Sequence, residues 1–256
     1  MRTETVQDAD IVVQKLPSDM GIHRNPRKGT LNAPDTILEG MSFEVRVMVD
    51  EVFPDEFDLE ETHRRIENNT RELLDYGKPL ISIGGDHSVS YPVLKALKKH
   101  NPGMELVWLD AHLDLKKPVD GHVSHDVVVR ELLKHGFSPE EIWFVGVTRV
   151  DQDEEGLLEE KGFHCYDAGE LDEFLEEFDP GNVYLSVDID VLSPELTPGT
   201  GYPDGELSIE DVERVIEMVG PMHADLVEVA PPFDVDGKTV DAARKVLETL
   251  SRALDR

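Results

Sequence analysis

Three short segments place acid and imidazole side chains at spacings that converge: Asp110-Ala111-His112-Leu113-Asp114, Asp188-Ile189-Asp190 and Gly84-Gly85-Asp86-His87-Ser88. In extended chain alternate residues share a face, so Asp110, His112 and Asp114 point one way while Ala111 and Leu113 point the other. Asp188 and Asp190 also share a face, directly after the apolar run 183–187. Two carboxylates this close would force one to keep a proton unless a cation sits between them. No Lys or Arg lies between Val183 and Pro203 to serve as that cation, and a metal ion resolves the repulsion. In the third segment Gly84 and Gly85 permit a tight turn that presents His87 at a strand end. Each cluster alone also admits a plain reading, as a polar loop or a packing histidine; three at successive strand ends point to a metal site.

Asp110, Asp114, Asp188 and Asp190 with His87 and His112 form a hard, oxygen-rich donor set. Such a set favours manganese over zinc, with cobalt, nickel and iron as possible occupants. Six side chains exceed what one open catalytic ion needs. Two ions about 3.5–4 Å apart, sharing aspartates, use them all and activate a bridging water as hydroxide. Glu228 interrupts the apolar run 226–229; it serves either a core ion pair or the cation of a substrate. His122 and His125 follow the Asp110 cluster, and either is a surface residue or the proton donor that a departing amine requires.

Short apolar runs at 11–16, 44–49, 79–83, 105–109, 142–147, 183–187 and 226–229 read as buried strands. Helical patterns lie between them. Asn32 with Pro34 opens one helix, Ser88 caps a segment through His100, and Ser208 with Asp211 resembles a capping box. This alternation predicts an α/β fold, a parallel sheet with helices on both faces, as a single domain over 1–256. In such sheets ligands gather at the carboxyl ends of strands, which is where the three clusters stand.

The 256 residues, 39% of them hydrophobic, suffice for one substantial core. No apolar run approaches the roughly 18 residues of a membrane span, and the first ten residues lack the pattern of a signal peptide; a soluble cytoplasmic protein is expected. Cys165 stands alone, which rules out an intramolecular disulfide and a Cys-rich zinc site. Fifty-five acidic against 25 basic residues give a net charge of −30. That charge repels nucleic acid and anionic lipid alike. The acidic stretches 55–61 and 151–161 read first as solvated helix faces, and second as steering for a cationic substrate.

Taken in order and spacing, the three motifs resemble those of the ureohydrolase family, which includes arginase, agmatinase and formimidoylglutamase. Pro198-Gly199-Thr200-Gly201 and Asp225-Leu226-Val227-Glu228 look like the family's later signatures. The resemblance implies a three-layer α/β/α domain around a parallel sheet of about eight strands, assembled as a homotrimer or homohexamer. It implies two Mn²⁺ ions per subunit, one held by His87, Asp110, Asp114 and Asp188, the other by Asp110, His112, Asp188 and Asp190. Asp110 and Asp188 would bridge, His125 would shuttle the proton, and Glu228 would face the guanidinium of a small cationic substrate.

Within the family, segment 115–122 lacks the Asn and Ser that grip an amino acid in arginases and looks more like agmatinases. The expected reaction is therefore agmatine to urea and putrescine. Asp120 or Asp126 would attract the distal ammonium, with Lys116 and Lys117 on the solvated rim. Arginase and formimidoylglutamase activities follow as alternatives, and a non-catalytic metal-binding relative is the alternative from another class. Three departures from the pattern stand out: Asp126 beside the shuttle histidine, Ser193 after the second metal motif, and no glycine-rich loop over 23–29.

Overall fold

The computed structural model describes residues 1–23, 25 and 27–255; Arg24 and Pro26, in the atypical 23–29 segment, lie outside the described residues. Among the described residues nine strands form one parallel sheet. They are β1 Arg2–Thr3, β2 Ile11–Leu16, β3 Val47–Glu51, β4 Leu80–Gly84, β5 Glu105–Leu109, β6 Ile142–Val147, β7 His164–Asp167, β8 Val183–Asp188 and β9 His223–Val227. The order across the sheet is β1-β3-β2-β4-β9-β8-β5-β6-β7.

Strands β2, β4 and β8 are buried along their whole length, which is why they read as mostly apolar runs without strict alternation. Period-2 alternation still divides the core. Val107 and Leu109 of β5 pack with helices α1 (Ala33–Leu38), α6 (Leu171–Glu177), α7 (Ile209–Val219) and α8 (Lys238–Leu254) on one face. Leu106 and Trp108 pack with α2 (Leu59–Leu74), α3 (Ser90–His100), α4 (Val128–Leu132) and the inner side of α5 (Gln152–Lys161) on the other. The result is the three-layer α/β/α arrangement.

Local signals were obeyed unevenly. Ser208 and Asp211 form the reciprocal capping box of α7, whereas Asn32 precedes α1 without a side-chain cap. Ser88 does not cap α3: it lies inside a short 3₁₀ turn whose cap is Asp86, accepting from the Ser88 N–H, and the α-helix begins at Ser90. Register places the functional edge. Leu109 pairs with Val187, Val187 with Leu226 and Leu226 with Ile83, so the chain leaves β5, β8, β9 and β4 at one level. Among the described residues four non-glycine residues have positive φ, and two of them, Asp114 at 50° and Glu228 at 63°, stand at this edge. Backbone strain of this kind collects where a side chain must be aimed.

One buried and one half-buried histidine of the scaffold predict an acid-sensitive fold. His223 at the start of β9 accepts the Leu80 N–H on Nδ1 at 3.1 Å, and burial, aided by His100, lowers its pKa to about 4. His63 on α2 lies 3.3 Å from the Ser88 hydroxyl, and burial with nearby Lys95 lowers it to about 3. Both values fall below the ordinary 6.5, so the unfolded chain takes up protons first as pH drops. Stability is then full above pH 6.5 and declines towards pH 4, by up to about 1.4 kcal/mol per unit per histidine. Denaturant titrations at pH 7 and pH 5 should show a gap about 1–2 kcal/mol smaller in His63→Gln or His223→Gln. An equal gap in both variants would assign the acid sensitivity elsewhere.

Candidate metal centre

The end of β5 delivers Asp110, and the turn beyond it swings Asp114 back through its positive φ. Asp110 faces two imidazoles: its Oδ2 is 3.1 Å from His87 Nδ1 and its Oδ1 is 3.4 Å from His112 Nδ1. Asp114 Oδ2 lies 3.4 Å and Asp188 Oδ2 3.3 Å from the same His87 nitrogen. Asp190 Oδ2 lies 3.1 Å from His112 Nδ1. Two groups capable of holding an ion result, His87 with Asp110 and Asp114, and Asp110 with His112 and Asp190, each with its ligand atoms within 4.8 Å. Asp110 belongs to both. Asp188 joins through its contact to His87, while its Oδ1 accepts the Asp190 N–H at 2.8 Å.

Hydrogen bonds behind the site leave the ligand atoms bare. His87 Nε2 meets Ser186 Oγ at 2.8 Å, and that hydroxyl donates to Asp225 at 2.7 Å. The hydroxyl proton is therefore spent and His87 must donate from Nε2, so Nδ1 is the nitrogen that offers a lone pair to a cation once its own proton is displaced. Nδ1 of His87 and Oδ2 of Asp110 are buried without a hydrogen-bond partner, which is costly unless a cation takes them. The His87 ring is fixed further by stacking on Trp108 at 4.0 Å.

The protonation pattern expresses the same demand. Burial pushes Asp114 and Asp188 well above the carboxylate range, with Asp110 adding to both, and it raises Asp190 to about 6. Burial opposes the imidazolium forms of His87 and His112, and the surrounding carboxylates overcome it. With no cation between them, these acids hold protons that a metal ion would displace. The donor set thus fits the two-ion site expected from its residue types.

On the open side of the cluster, Glu228 Oε1 accepts the His87 backbone N–H at 2.9 Å and meets His125 Nδ1 at 3.1 Å. Glu228 follows β9 instead of lying within it. Burial opposes the His125 imidazolium, and the Glu228 carboxylate, with Asp114 and Asp86, overcomes it and raises His125 to about 9. His125 Nε2 is buried without a partner, and His125 lines the cavity over the cluster. His122 is exposed and set edge-on to His23 at 5.9 Å, so of the two histidines only His125 reaches the cavity.

Asp120, expected near a distal ammonium, sits at φ 54° on an exposed turn closed by the Val119–His122 bridge and is not among the residues lining the cavity. Asp126 does line it, accepting the Ser124 hydroxyl at 2.6 Å. Lys116 also lines the cavity and does not stand on the solvated rim; its ammonium is 2.6 Å from Asp151, while Lys117 is exposed. Arg149, Asp151, Glu154 and Tyr202 complete the outer wall and were not singled out from sequence. Tyr202 lies roughly parallel to the His125 ring at 6.4 Å and edge-on to His112 at 5.7 Å. Its position just after Pro198-Gly199-Thr200-Gly201 was the one available signal.

Comparison with known proteins agrees with this architecture. The profile of the Arginase family matches residues 9–251. The chain is 33% identical over 195 residues to an agmatinase of Bacillus anthracis, covering 72% of this chain and 67% of that protein. It is 31% identical over 255 residues to the N(1)-aminopropylagmatine ureohydrolase of Thermus thermophilus, covering 88% and 84% respectively. Among solved structures, the agmatine ureohydrolase of Thermoplasma volcanium superposes with a TM-score of 0.83 at 26% identity, covering 98% of this chain and 92% of that one.

Proposed function

The chain belongs to the arginase family, and from that premise we propose that it hydrolyses agmatine to urea and putrescine at a binuclear Mn²⁺ site. His87, Asp110, Asp114 and Asp188 would hold one ion, and Asp110, His112, Asp188 and Asp190 the other. The observation that carries this reading is the shared position of Asp110 between two imidazoles, with its buried Oδ2 and His87 Nδ1 left bare on the His87 side. When bound, the ion pair supplies a hydroxide at neutral pH and draws electron density from the guanidino carbon's surroundings.

The chain's own residues do the rest. Glu228 offers a carboxylate to the guanidinium, a charge-assisted pairing that also orients the planar group. His125 is anchored to Glu228 through Nδ1, which leaves Nε2 to pass a proton to the departing amine. The family resemblance further implies a trimer or hexamer, testable by light scattering. No helix among the described residues is long and apolar enough to cross a membrane.

Mn²⁺-loaded protein should release urea from agmatine, lose that activity on chelation, and regain it better with Mn²⁺ than with Zn²⁺. Chelation should also lower the melting temperature by roughly 5–15 °C, since ions at 100- to 1,000-fold their Kd add about 3–4 kcal/mol. Full activity in metal-free protein would overturn the two-metal reading.

A further inference from the structure

The proposed chemistry leaves Asp86, a fully buried carboxylate beside the His87 ligand, without a role. Its two oxygens are used by different partners. Oδ1 accepts the Ser88 N–H at 2.9 Å, and Oδ2 accepts the N–H of Gly21 at 3.0 Å, from a loop 65 residues away. The carbonyl of that same Gly21 accepts the backbone N–H of His125 at 3.1 Å. The loop is pressed onto the motif: Asp86 N–H donates to Ser18 O at 2.8 Å, and a Cβ at Gly21 would come within 2.3 Å of Asp86 Oδ1 and Ser88 Oγ. Glu228 is tied to the same turn, its N–H donating to Gly85 O at 2.8 Å.

We propose that Asp86 is a positioning residue for proton transfer, aiming His125 through the Gly21 peptide. The imidazole is held at two points. Its Nδ1 rests on Glu228 and its backbone rests on Gly21, so losing the second lets the ring swing about the first. A carboxylate is required because two N–H groups bind two separate oxygens. A carboxamide has one acceptor oxygen and would turn its NH₂ against the other donor.

This inference rests on the reading of His125 as the proton donor, and a double-mutant cycle separates the two. Asp86→Asn should lower kcat for urea release about 10- to 100-fold, the usual loss on removing an outer-shell partner. KM should stay within about twofold and both metal ions should remain bound, because no ligand atom is removed. In a His125→Asn background the same substitution should cost nothing further. An undiminished effect in that background, or loss of an ion from Asp86→Asn, would show that Asp86 acts through the fold or through His87 and would overturn the proposal. If His125→Asn itself left kcat unchanged, the proton-donor reading would fail instead. Should Asp86→Asn not fold, Gly21→Ala displaces the other end of the relay, and the same cycle applies to it.

Discussion

Asp110→Ala should cost more activity than any other single replacement in the site, at least about 10⁴-fold in kcat, because several kcal/mol of charge stabilisation leave with the metal pair. The reason lies in its two oxygens. One faces His87 Nδ1 at 3.1 Å and the other faces His112 Nδ1 at 3.4 Å, so truncation removes a ligand from both groups at once. His125→Asn touches neither group. It should lose about 10²-fold, at the low end of what a positioned proton donor contributes, and keep two ions. Asp188 gives a second test of the bridging assignment; its Oδ1, like that of Asp110, already accepts a backbone N–H two residues on. Metal analysis beside the urea assay settles the roles: two ions still bound to Asp188→Ala would show that it is not a shared ligand.

How much of this was legible in sequence depended on whether the signal was local. The strand limits at 11–16, 105–109 and 142–147 match the structure, because these runs are largely buried and each is followed by a change of composition, at Pro17, Asp110 and Thr148. Strand β9 begins and ends before the 226–229 reading. Hydrophobicity reports burial and not backbone: Val229 and Ala230 remain buried after the chain has turned at Glu228. The outermost strands β1 and β7 were missed, since Arg2–Thr3 is too short and His164–Asp167 carries no apolar run. The six candidate ligands were found because each lies within a few residues of a strand end. Glu154 reaches the cavity from within α5, away from any strand end, and Arg149 and Tyr202, though near the end of β6 and the 198–201 segment, belong to no acid–imidazole spacing that would mark them.

The same outer wall bears on the substrate, and agmatine should be preferred over arginine by about 10²-fold in kcat/KM. The two differ at the far end, where arginine adds a carboxylate. Lys116 and Arg149 are the Lys and Arg side chains lining the cavity among the described residues, and both are engaged. Lys116 sits 2.6 Å from Asp151, and Arg149 lies 2.9 Å from Asp151 and 3.5 Å from Asp204. Asp126, Asp151 and Glu154 outnumber them on the wall, so an ammonium entering the mouth meets surplus negative charge. An incoming carboxylate would have to break one of these pairs or remain unpaired. An unmet charged group costs about 2–3 kcal/mol, which corresponds to roughly 30- to 200-fold. Neutralising Lys116 as Lys116→Met removes a cation and leaves Asp151 paired with Arg149 alone, which should widen the preference for agmatine. The comparison requires both substrates at one pH, salt and Mn²⁺ concentration. A ratio favouring arginine would mean that Lys116 or Arg149 exchanges its carboxylate partner for the substrate's, leaving the assignment of the metal ligands intact.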